Sequence, residues 1–115
     1  MDGYELEWAR AFALTLGIEV PLYFWLLCKL GFRAHSALGA AIVANAISHP
    51  ILWFVLPRFE PYAAFAATGE AVVLVIETLV IMAWSVAFKP RLRWKNVIGV
   101  VVFVNAASMA AGFLR

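Results

Sequence analysis

The chain has 115 residues, 65% of them hydrophobic and only 14% charged, with a formal net charge of +2 and a mean hydropathy of +0.91. Soluble domains run near ~45–50% apolar and ~25% charged, so the composition excludes an ordinary water-soluble enzyme, a disordered tail and a basic-patch nucleic-acid reader. The single cysteine, Cys28, excludes a disulfide framework and any cysteine-based zinc motif. The expectation is an all-α, integral membrane four-helix bundle forming a single transmembrane domain over residues 1–115.

A spanning helix needs about 20 predominantly apolar residues. Four segments meet that requirement: residues 11–28, 37–56, 63–88 and 97–114. The first is preceded by Asp2, Glu5 and Glu7 and lacks a positive n-region, so it reads as a span and not as a cleavable signal. It carries Glu19 and, two residues on, Pro21, which removes a backbone donor and frees the Gly17 carbonyl. The second span holds Asn45, Ser48 and His49, then Pro50, which frees the Ala46 carbonyl in the same way. His49 is four residues after Asn45 and shares its helix face, and Ala40, Ala44 and Ser48 form a small-residue row suited to close packing. Glu70 and Glu77 fall two turns apart in the third span, while Asn105 and Ser108 lie on one face of the fourth.

Orientation follows from the basic residues of the short loops. Lys29 and Arg33 on one connection and Lys89, Arg91, Arg93 and Lys95 on another give six positive charges on one side, against Arg10, Arg58 and Arg115 on the other. Loops 29–36 and 89–96 are therefore expected in the cytoplasm and both termini outside. Aromatic residues fall at the expected interfaces: Tyr4, Trp8, Trp53 and Tyr62 towards one, Trp84 and Trp94 towards the other. The basic run 89–95 suits anionic headgroups, or does no more than fix orientation.

Separations of ten to twelve residues from Lys29, Arg33, Lys89 and Lys95 put Glu19, Asn45, Glu77 and Asn105 at ~15–18 Å depth. That is near the midplane of a hydrocarbon core ~30 Å thick. His49, Glu70 and Ser108 fall one to two turns further out, so the reading is a polar column. Three of the seven acidic residues lie inside spans, at a cost of roughly 8–10 kcal/mol on insertion scales. Protonation, pairing, a bound cation or a water-filled cavity must offset it. The bland readings are interhelical hydrogen bonding for Asn45 and Asn105, packing for Ser48 and Ser108, and a carbonyl partner for His49.

A short repeat is visible. Residues 43–48 (VANAIS) align with 103–108 (FVNAAS), and Ile18-Glu19 with Ile76-Glu77. Two tandem hairpins, about 1–58 and 59–115, follow, related by an axis along the membrane normal.

Two functions fit. Carboxylates beside a histidine, whose charge changes near neutrality, suit a proton- or cation-handling transporter or channel unit, with Glu19, Asn45, His49, Glu70, Glu77, Asn105 and Ser108 as its ion-binding set. The alternative is an accessory or scaffold subunit of a larger membrane complex, holding a pigment through His49 or a divalent metal such as zinc, iron or manganese through His49, Glu70 and Glu77. The Glu-x-x-His spacing of di-iron bundles is missing from every span, and no HExxH or paired-aspartate motif points to an enzyme. The expected partners are the lipid bilayer and a homo-oligomer or larger membrane complex, without nucleic acid.

Overall fold

The computed structural model describes residues 3–88 and 90–113. Asp2, Lys89 and Arg115, which enter the charge reading above, lie outside the described residues, as do the side chains of Tyr4 and Tyr62. Four α-helices account for most of the chain: α1 (Gly3–Lys29), α2 (Ala34–Pro50), α3 (Tyr62–Phe88) and α4 (Trp94–Phe113). No strand occurs among the described residues. All four are long and apolar enough to cross a membrane, α2 together with the π-helical segment Ile51–Val55 that continues it. The helices start three to eight residues earlier than the apolar runs of the first, second and fourth spans, because Glu5, Glu7 and Trp8, for instance, extend a helix without being apolar enough to read as part of a span.

Each helix packs mainly on its two neighbours in a ring: α1 against α2 and α4, α3 against α2 and α4. The bundle measures 40 × 25 × 25 Å, and its long axis equals the length of a 27-residue helix at about 1.5 Å per residue.

The end that carries the basic loops is fixed by specific caps. Helix α1 stops because Gly31 takes φ 107, a conformation open to glycine. Phe32 N–H then bonds Leu27 C=O and Gly31 N–H bonds Cys28 C=O, both at 3.0 Å. Buried Phe32 and Leu27 share one apolar cluster, completing a Schellman stop. At the α3–α4 connection the buried Ser85 hydroxyl donates to Pro90 C=O and accepts from Leu92 N–H, each at 2.6 Å. Trp84 Nε1 donates to Ser36 Oγ at 2.9 Å, tying α3 to α2. Gly39 is required there, since a Cβ would stand 2.8 Å from the Trp84 ring.

Below these caps lies an apolar core of Leu27, Ala37, Ala41, Ala44, Ile81, Val97, Val101 and Val104. Further from the loops the interior turns polar: Glu19, Asn45, Ser48, His49, Glu77 and Asn105 are all buried. The outer faces carry the opposite chemistry, with Trp25, Val75, Leu79 and Phe103 each more than half exposed.

At the far end Pro50 has no N–H to give, and the helix changes pitch at once. Ile51 N–H reaches Ser48 C=O, one residue short of the α-helical partner, and Leu56 N–H bonds Ile51 C=O at 2.9 Å across a wide π turn. Such turns are frequent beside functional residues. Pro21, by contrast, is absorbed within α1.

Candidate functional site

The polar interior is organised around one carboxylate. Glu77, on α3, is fully buried. Its Oε1 accepts from the Tyr23 hydroxyl of α1 at 2.5 Å and from Asn105 Nδ2 of α4 at 2.9 Å. Its Oε2 accepts from Ser48 Oγ of α2 at 2.6 Å. Every helix thus supplies one group, and hydrogen bonds of this charge-assisted kind are stronger than neutral ones.

These side chains meet because of where each helix buries its residues. Helix α1 buries Glu19, Tyr23 and Leu27, and α3 buries Gly69, Val73, Glu77, Ile81 and Ser85. The spacing is four residues, so each contact row winds slowly round its helix. Glu70 falls beside that row. It is half-buried, about 10 Å further along the helix axis than Glu77 by rise.

Glu19 stands next to Glu77 in a poorer setting. Ser108 of α4 stands beside its carboxylate, and Oε1 is buried without a partner. His49 Nε2 is likewise buried and unpartnered. One ligating atom from each of Glu19, His49 and Glu77 lies within 4.8 Å of the other two. If both carboxylates carried their charges, at a separation of 4.8 Å they would repel by about 3.5 kcal/mol at an effective dielectric of about 20. Each unpartnered buried polar atom adds about 1–3 kcal/mol. A positive charge placed between these groups relieves all three costs.

Asn45 lies in the same layer but turns away from it. Its Nδ2 donates to Ala41 C=O of its own helix at 2.9 Å, and its Oδ1 has no partner. Asn105 makes the equivalent bond to Val101 C=O at 2.9 Å while also reaching Glu77.

Two members of the site are not candidates from the sequence: Tyr23, and Ser48 in any role beyond packing. Tyr23 is four residues after Glu19 and therefore on its face, a signal available in the sequence. His49 is covered by aromatic rings. Phe12 lies 5.8 Å from it, Trp8 stacks on Phe12 at 5.2 Å, and Phe54 meets Trp8 edge-on at 5.3 Å. Trp8, an interfacial anchor by sequence, is thus part of the cover over the histidine.

No protein-family profile, curated protein or solved structure matches the chain. The functional reading therefore rests on the site's own chemistry.

Proposed function

We propose that the protein is a multi-pass membrane unit that takes a proton or cation into the Glu19–His49–Glu77 cluster and passes it on as a small transporter or channel unit. The carrying observation is that two carboxylates and an imidazole converge within 4.8 Å inside a bundle whose outer faces are apolar. Apolar residues outward and carboxylates inward is the arrangement lipid favours and water does not. Glu77 is the held member, fixed by three donors. Glu19, with Oε1 unpartnered, is the member able to turn towards an arriving ion, and His49 receives it beneath the Trp8–Phe12–Phe54 cover. Glu70, two turns from Glu77 along α3 and nearer the mouth, attracts the cation. With the basic loops cytoplasmic and the termini outside, that mouth faces outward.

The proposal includes two hairpins of common descent. The offset of 60 that relates Asn45 to Asn105 also relates Arg33 to Arg93, Gly39 to Gly99 and Ser48 to Ser108. Burial follows the same offset, from Ala37, Ala41 and Ala44 to Val97, Val101 and Val104. Each hairpin's serine faces the other hairpin's glutamate: Ser48 bonds Glu77, and Ser108 stands beside Glu19. Four helices enclose little lumen, so passage across the bilayer calls for a homo-oligomer or a larger membrane complex.

The test is flux in lipid vesicles holding the purified protein and a pH- or cation-sensitive dye. Wild type should dissipate an imposed gradient, and Glu77→Gln and Glu19→Gln should fall to the rate of protein-free vesicles. Wild-type vesicles no faster than protein-free ones, for protons and for monovalent and divalent cations, overturn the reading.

A further inference from the structure

We infer that Glu19, His49 and Glu77 are the protein ligands of a divalent first-row transition-metal ion of the zinc class, bound exchangeably. This deepens the cation-handling reading, on which it rests, by naming the ion.

The first ground is the donor set. Two carboxylates and one imidazole suit a borderline divalent ion such as zinc, manganese or ferrous iron. Calcium takes six to eight oxygen ligands, and magnesium a near-ideal octahedron of oxygens largely kept as water. A three-ligand cluster containing histidine matches neither.

The second ground is independent of the cluster's composition. Glu19 is 2% exposed and His49 9% exposed, yet Glu19 Oε1 and His49 Nε2 have no hydrogen-bond partner. Buried polar atoms are almost always satisfied, so two unsatisfied ones on neighbouring side chains mark a place where something else is bound. Glu77 contributes in a complementary way. A carboxylate has about four acceptor positions. Tyr23 and Asn105 occupy Oε1, and Ser48 occupies one position on Oε2. One position on Oε2 stays available, on a carboxylate that cannot swing away.

Charge and geometry agree. Two carboxylates and a divalent ion sum to zero, the state that a bilayer interior tolerates best. A tetrahedral ion with bonds of about 2.0–2.2 Å holds its ligands about 3.4 Å apart. The present spacing of up to 4.8 Å must therefore close by about 1.4 Å, a change within reach of side-chain rotation. Three protein ligands leave a fourth position for water or an exchanging group, as in catalytic rather than structural zinc sites. An ion held this way can leave, as a transported ion must.

The experiment uses the full chain in detergent micelles, titrated with Co²⁺ as the visible probe and Zn²⁺ as competitor. Wild type should develop the d–d absorption of low-coordinate Co²⁺, saturating at one ion per chain, and Zn²⁺ should displace it where Mg²⁺ and Ca²⁺ do not. Glu19→Gln and His49→Asn should each weaken Co²⁺ binding by at least about 100-fold, since altering even the groups behind a metal ligand costs about 10–100-fold. Glu70→Gln should change it by less than about 3-fold, being outside the ligand set. Far-UV circular dichroism and gel filtration accompany each variant. Glu19→Gln preserves shape, so it carries the test alone if His49→Asn does not fold. The assignment is overturned by an absent Co²⁺ signal, by undiminished binding in Glu19→Gln, or by displacement with Ca²⁺ as effective as with Zn²⁺. If the metal is absent while vesicles still show Glu77-dependent proton or monovalent-cation flux, only the ion assignment falls. If both measurements fail, the functional reading falls with it.

Discussion

In the second hairpin Glu77 accepts from Tyr23, Ser48 and Asn105, whereas in the first Glu19 has Ser108 and an oxygen with no partner. The two carboxylates sit within 4.8 Å of one another, so their different surroundings come from single residues. Four positions after Glu19 stands Tyr23; four after Glu77 stands Ile81. The position sixty beyond His49 is Met109. The two carboxylates are thus unequal, one fixed by three donors and the other with an unpartnered oxygen beside an imidazole. On the proposed reading this inequality gives an arriving ion a mobile ligand, which two equally held carboxylates would lack.

The sharpest way to break this comparison is to remove Glu77. Glu77→Leu strands three buried donors and should destabilise the bundle by about 3 kcal/mol or more, read as a fall in the thermal unfolding midpoint in micelles. Tyr23→Phe should cost about 1.5–3 kcal/mol, the worth of one hydrogen bond to a charged group. The same assay reads it, and a loss no greater than that of an exposed substitution would show that Tyr23 does not hold Glu77.

The two halves also predict unequal responses at matched positions. Gly39→Ala drives a methyl into the Trp84 ring and should cost about 1–3 kcal/mol. Gly99→Ala, with nothing within 4 Å of its Cβ position, should be tolerated. Asn105→Ala should cost about 1–2 kcal/mol, and Asn45→Ala about 0.6 kcal/mol or less, since only Asn105 bonds across helices. The smallest stability effect is expected at Glu19→Gln. Gln matches Glu19 in shape without its charge, and the oxygen it replaces has no partner to lose, so the unfolding midpoint should hold or rise while cation uptake is lost. A marked fall in the midpoint would mean that Glu19 is held as firmly as Glu77.

Much of the architecture was legible in the chain. Four apolar runs of sufficient length gave four helices, and counting from the basic flanks put Glu19, Asn45, Glu77 and Asn105 in one layer. That layer is buried in the bundle. Less legible was which of its members touch. Asn45 and Asn105 look equivalent in sequence, yet one bonds only its own helix and the other reaches Glu77. Glu70 and Glu77 look like one stripe, but the buried row of α3 advances by four from Gly69 to Ser85 and passes Glu70 by. Tyr23 and Ser48 enter the site through contacts that hydropathy does not weigh.

Hydropathy is a local property, and it determined the number of helices and the approximate place of each, though not where they begin. The rotation of each helix about its axis, and the winding of its contact row, depend on how all four pack at once. That packing decided that Glu77 would be surrounded by donors, that Glu19 and His49 would be left with open valences, and that the three would face one another.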